Sequence, residues 1–284
     1  MGGGFEIRNH AEHVGGRDTP LRYERARAIS ALFTTPIDLA ISAMPSARLE
    51  PLRWLSGTGI ACLFACEFEQ STIGPFREFG FGFLCSRSPW LAMPLIPAIF
   101  YRLLPAVGVC FDSMAVTSPE ACAAAHQIWD LPTFLAPVIF EDHAERCVAA
   151  LEIGRERVAE VTVDKQRGKP KWQRQGLRTL SVHGGDLLTG CHRTALLSTV
   201  SRGKGCAHLS STANATAAPG ALAAALAAPA RVLEARYYTS LSGLFAEPFP
   251  ERLQDLRTDT AWAVPRAGKP AVRRGHPSRP SLAP

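Results

Sequence analysis

Residues 118–134 read "SPEACAAAHQIWDLPTF", a capped helix that runs into a proline turn. Ser118 is the helix cap, Pro119 suits the first turn, and Glu120 complements the positive end of the helix dipole. The helix runs through Ala121–Trp129 and must stop before Pro132. Beyond it lies an apolar run, "TFLAP". A chain that leaves a helix, turns at a proline and enters such a run is placed to present a side chain inside a hydrophobic cavity. The residues delivered there, Thr133 and Phe134, are not reactive by themselves.

Upstream, residues 59–69 alternate, with Ile60, Cys62, Phe64, Cys66 and Phe68 on one face. Residues 76–85 alternate again, with Phe79, Phe81 and Phe83 on one side and Glu78, Gly80 and Gly82 on the other. Two adjacent period-two runs joined by "QSTIGP" predict a hairpin. A strand is expected over Arg27–Phe33, then a helix from Pro36 capped by Thr35. Further strands are expected over 136–141, 147–153, 157–163, 177–182, 196–200 and "RVLEARYYTSLSGLF" (231–245), with "DKQRGKPK" as a polar hairpin tip. Many strands with few short helices predict an α+β domain with a curved or barrel-like antiparallel sheet.

Residues 1–24 read as a flexible polar arm, 25–260 as one domain, 210–230 as an alanine-rich surface excursion or poorly packed helix, and 261–284 as a disordered basic tail. The chain carries 31 basic and 25 acidic side chains. Five of the basic ones come after Asp259, beyond which no acid occurs, so the body is nearly neutral at 26 against 25. That balance argues against a nucleic-acid-binding body. The apolar stretch 89–109 contains four prolines and Arg102, which argues against a membrane span and for a core or subunit contact. No charged-then-apolar leader is visible in "MGGGFEIRNHAEH", so the expectation is a cytoplasmic protein without a membrane partner. Eight scattered cysteines lack a CxxC pair, as expected of buried thiols rather than a metal site. GxGxxG, P-loop, HExxH and GxSxG motifs are absent, and no cofactor is expected.

In order, the arginine-bearing strand, "PFREFGFG", "SPEACAAAHQIWDLPTF" and "RVLEARYYTSLSGLF" resemble the acetoacetate decarboxylase superfamily over about residues 25–250. Active members have Gly-Arg-Glu-(Ile/Leu)-Trp-Gly-Tyr-Pro-Lys at the helix-to-turn, the lysine forming a Schiff base. Aligned on Ile128, Trp129 and Pro132, Thr133 stands at the lysine's address, Phe134 where its partner would be, and Asp130 in place of the following glycine. Of the five lysines, Lys165, Lys169 and Lys171 lie in the polar tip and Lys269 in the tail. Lys204 lies in "SRGKGC", without an apolar wall to depress its pKa.

The resemblance implies a pocket glutamate at Glu78, fit for acid–base work in an apolar cavity. It also implies an arginine for a substrate carboxylate at Arg27, or Arg25. His126 can titrate near neutrality; Thr133 offers a hydroxyl, and Trp129 and Phe134 offer walls. The alternatives are a solvated glutamate, an exposed arginine, a surface histidine and a core tryptophan. Three functions are compatible with these residues: a non-Schiff-base lyase, dehydratase or cyclase of secondary metabolism acting on a small keto, enol or polyketide-like molecule; a non-catalytic ligand-binding protein on the same fold; and a decarboxylase using a displaced lysine. A homo-oligomer is expected.

Overall fold

Alternation in the sequence becomes long, strongly curved strands in the computed structural model. It describes residues 21–88, 104, 106–165, 170–183, 186–202, 207–211, 220–228, 230–245 and 249–250. Most of the proline-broken segment 89–109, the first twenty residues and the tail beyond 250 lie outside the described residues.

Strands β1 (Leu21–Thr35), β2 (Glu50–Pro51), β3 (Gly59–Ser71), β4 (Phe76–Ser86), β5 (Val107–Val116) and β6 (Thr133–Leu135) belong to one sheet. So do β10 (Lys171–His183), β11 (Asp186–Arg202), β13 (Val232–Phe245) and β14 (Phe249–Pro250). The hydrogen-bonded order is β2-β4-β3-β1-β13-β11-β10-β5-β6. β5 also pairs with β4, and it meets β10 through one parallel pair, Thr179↔Val109. The result is a curved sheet and not a fully laddered barrel. It is mixed where an antiparallel sheet was expected, because β5 takes both β6 and β10 as parallel neighbours.

A second, four-stranded sheet contains β7 (Val138–Asp142), β8 (Arg146–Ile153), β9 (Glu156–Asp164) and β12 (Ala207–Ser210). The "DKQRGKPK" stretch therefore does not close a hairpin: β9 and β10 on its two sides belong to different sheets.

The two faces of the large sheet bury different cores, as period-two patterning requires. Ala31, Phe33, Leu63, Ala65, Phe79, Phe81 and Phe83 pack with the second sheet. Ala28, Cys62, Cys66, Phe68, Met114 and Val116 face the concave side. Helix α2 (Pro119–Trp129) inserts Ala121, Ala124, Ala125 and Trp129 into that side. Its start is as read: the Ser118 hydroxyl accepts from the Ala121 N–H at 3.2 Å.

Several local expectations differ. β1 begins at Leu21, inside the expected arm, because Leu21 and Tyr23 are buried. Helix α1 (Ile37–Ser42) is not capped by Thr35; the β1–β3 ladder continues through Thr35↔Gly59 and takes that residue into the sheet. Within 210–230, α3 (Leu222–Ala227) is a helix, one of the two forms expected, but a well-packed one. Leu222 and Ala225 are fully buried in the core between the sheets. The start of this helix is tied to β5, where Asp112 Oδ2 accepts from the Ala221 N–H at 2.8 Å. Gly220, at φ 61°, lets the chain pass so close that a Cβ there would meet Asp112 Oδ2 at 2.0 Å. Among the described residues no helix is long and apolar enough to cross a membrane.

Candidate functional site

The concave side of the large sheet and the inner face of α2 enclose an apolar cavity of about 130 Å³. Its wall is mostly aromatic and aliphatic, including Phe64, Phe76, Phe111, Met114 and Trp129. The polar groups along it are few: Glu78, Tyr23, His192, Thr194, Thr179 and Ser30.

Glu78 sits mid-strand on β4, across from Cys66 on β3 and Val116 on β5. It is 7% exposed, and its carboxyl has no hydrogen-bond or ion-pair partner among the described residues. Burial without a compensating cation pushes its pKa up to about 8. At neutral pH the group is therefore mostly a carboxylic acid, able to donate a proton and, once ionised, to accept one. The Cys66 thiol beside it is pushed well above its usual range, first by burial and then by the neighbouring carboxyl groups Glu78 and Glu67, so it stays protonated.

The glycines that follow Glu78 on β4 open no space for a ligand. Gly80 makes room for the Phe64 ring, whose Cε1 lies 2.1 Å from where a Cβ would be. Gly82 lies against the backbone of Cys110, whose carbonyl oxygen would be 2.4 Å from a Cβ. Both spaces are filled by the protein's own wall.

Farther along the wall, the Tyr23 phenol is hydrogen-bonded to His192 Nε2 and to the Thr194 side chain. The His192 ring stacks on Phe245 with centroids 3.7 Å apart, and Tyr23 meets it edge-on at 5.4 Å. Burial lowers the His192 pKa to about 3, so the imidazole is neutral. Burial raises the Tyr23 pKa, with Cys66 and Glu78 adding to the rise, so the phenol keeps its proton. Sequence reading singled out neither residue. The pairing of β1 is irregular between Tyr23 and Ala26, so both fall in the core on the cavity side of the sheet, three residues apart. Counting back in twos from Phe33 places Tyr23 on the wrong face. His192 could have been found from the alternation His192, Thr194, Leu196 on β11.

The structure does not bring Arg27 to Glu78. Arg27 shares a sheet face with Ala31 and Phe33, and it is held by Glu67, Glu69 (3.2 Å) and Asp142 (3.1 Å). Arg25 pairs with Glu69. Asp142 also binds Lys165 at 2.6 Å and the Tyr237 hydroxyl at 2.9 Å, so these groups form a clasp between the two sheets. Among the described residues, neither a lysine nor an arginine lines the cavity.

At the helix-to-turn, Asp130 takes a left-handed conformation, with φ 48°. The Leu131 N–H bonds the Ala125 carbonyl and the Asp130 N–H bonds the His126 carbonyl, closing the helix on a left-handed residue. His126 donates from Nε2 to the Thr133 carbonyl at 2.6 Å, bracing the turn from its outer side. The Thr133 hydroxyl is buried and donates to the Leu131 carbonyl at 3.3 Å. Phe134 packs into the core between the sheets. Of the six residues singled out from sequence, Glu78 and Trp129 line the cavity, Thr133 lies beside its wall strand β5, and Arg27, His126 and Phe134 point elsewhere. Seven of the cysteines are free thiols, five of them buried, and no metal-ligating cluster exists among the described residues.

No protein-family model and no curated protein sequence matches the chain. Solved structures do. The acetoacetate decarboxylase of Legionella pneumophila superposes with a TM-score of 0.55 at 15% identity, over 83% of this chain and 88% of that one. The enduracididine biosynthesis enzyme MppR complexed with pyruvate gives 0.56 at 12% identity, over 82% and 90%. An acetoacetate decarboxylase-like enzyme from Sphingomonas wittichii gives 0.53 at 9% identity, over 88% and 100%. The chain has the acetoacetate decarboxylase fold, with a curved mixed sheet around a cavity.

Proposed function

We propose that the protein is an enzyme of the acetoacetate decarboxylase fold that moves a proton on a small keto- or enol-containing molecule without forming an imine. Lyase, dehydratase or cyclase chemistry of this kind suits secondary metabolism. The observation that carries the reading is Glu78, an unpaired carboxyl in an apolar cavity with a pKa near 8. A group so placed holds its proton at neutrality and exchanges it with small driving force, as an acid–base catalyst requires. That the fold neighbours are enzymes, one of them complexed with pyruvate, supports a carbonyl-bearing ligand. In the elementary step the Glu78 carboxylate takes a proton from the carbon next to the carbonyl. The C–H electron pair becomes the C=C bond, and the carbonyl oxygen takes the charge.

Deuterium wash-in tests this. Cyclohexanone incubated with the protein in heavy water should gain deuterium beside its carbonyl. Glu78→Gln should lower the rate by about 100-fold or more. Binding of cyclohexanone without exchange in the wild type would instead establish a ligand-binding protein, the second reading. The nearly unbroken apolar wall favours that second reading.

A further inference from the structure

We infer that this cavity selects an uncharged carbonyl compound, and that the Tyr23–His192 pair is its specificity-determining recognition element. The inference rests on the proton-transfer reading of the same cavity and names its substrate class.

Charge is the first ground. Arg25 and Arg27 are committed to Glu67, Glu69 and Asp142 and do not line the cavity. Glu78 is the one acidic group among the described residues of the wall, and no described lysine or arginine accompanies it. An anionic ligand would lose its hydration in an apolar chamber and meet a carboxyl instead of a cation, which opposes entry. A neutral molecule meets no such barrier.

Hydrogen-bond chemistry is the second. Tyr23 is 1% exposed and its O–H needs an acceptor; with the Thr194 hydroxyl donating to the phenol oxygen, we assign the acceptor's role to His192 Nε2. A neutral imidazole accepting at Nε2 carries its proton on Nδ1, so the bond from Tyr23 fixes the tautomer. No protein group among the described residues accepts from that Nδ1–H. Stacking on Phe245 and the edge contact with Tyr23 hold the ring in orientation. The wall therefore offers an N–H donor on His192, apart from Glu78. Such a donor in an apolar chamber matches a carbonyl oxygen and leaves Glu78 for the neighbouring C–H. His192 binds that oxygen, and Tyr23 acts through His192 as a positioning residue. The volume, near 130 Å³, suits a molecule about the size of benzene.

The test uses the full chain with cyclohexanone, isotopically labelled at its carbonyl carbon, and cyclohexanecarboxylate. At neutral pH the ketone should bind at least about tenfold more tightly than the carboxylate. Its carbonyl resonance should move in the direction of hydrogen bonding. His192→Phe should weaken ketone binding about three- to tenfold, the worth of one neutral hydrogen bond, and abolish that shift. Tyr23→Phe keeps the ring and removes the bond that sets the tautomer, so it should diminish the shift even if His192→Phe fails to fold. Equal or tighter binding of the carboxylate overturns the substrate class. A carbonyl shift unchanged in both variants overturns the role of the pair, and deuterium wash-in that persists in them leaves the proton-transfer reading standing. If xenon enters the cavity but the ketone neither binds nor exchanges, both readings fall together.

Discussion

Thr133 stands beside Met114 in parallel register, and the next pair along is Phe134 with Ala115. Met114 faces the cavity, whereas Ala115 and Phe134 belong to the core between the sheets. The short strand β6 thus sends the side chains of Thr133 and Phe134 toward different sides of the sheet.

Thr133→Lys alone should therefore fail to create a Schiff-base enzyme. A catalytic amine needs its pKa lowered by several units, and desolvation by the apolar wall is one contribution to that shift. A neighbouring cation cannot come from position 134, because a lysine there would enter the other core. Borohydride treatment with acetoacetate should trap no adduct above the wild-type background at neutral pH. A stoichiometric adduct in the single variant contradicts this expectation.

The elevated pKa of Glu78 has a consequence for stability. The folded state holds the proton up to about pH 8, while the unfolded chain releases it near the ordinary value of 4.5. Between those values the native state binds more protons, so stability falls as pH rises and the loss is complete above about 8. Glu78→Gln removes this dependence. The variant should gain on the wild type by up to a few kcal/mol from pH 5 to pH 9, at about 1.4 kcal/mol per unit. Calorimetric melting across that range checks the sign.

Arg27→Ala should lower stability and leave ligand affinity alone. It leaves Glu67, Glu69 and Asp142 with fewer cations where the two sheets meet. Because Arg27 is a third exposed, about 1–2 kcal/mol is expected. Denaturant melts paired with cyclohexanone titration separate this outcome from a role for Arg27 in binding, in which affinity would fall.

Gly82→Ala should cost more than Gly80→Ala. At Gly80 the new methyl meets the end of the Phe64 side chain, which can rotate away at a cost of about 1–3 kcal/mol. At Gly82 it meets backbone, which cannot. Adding Phe64→Leu should rescue the first substitution and not the second, as unfolding midpoints will show.

Much of the fold was legible because burial enforces periodicity. The alternation of Ile60 through Phe68 and of Phe79 through Phe83 told which face each side chain takes, and Ser118 and Pro119 told where α2 begins. Glu78 was legible only together with the family order, since a lone strand glutamate is ordinarily solvated. What escaped reading depends on pairing across the sequence. Arg27 has three carboxylates drawn from strands β3 and β7, Tyr23 owes its inward face to irregular pairing, and Leu222 finds its core against distant β9. Local pattern does not encode such partners.

The bond from Asp112 to the Ala221 amide gives β5 two audiences. On its inner side β5 presents Phe111, Met114 and Val116 to the cavity, and through Asp112 it holds the first turn of α3. The Ala221 N–H is thus a built-in reporter, one amide whose hydrogen exchange registers whether the wall strand has moved. A ligand that fits the cavity without displacing β5 leaves that amide protected, and one that pushes the strand outward exposes it. The protein carries a gauge of its own cavity on the opposite side of the wall.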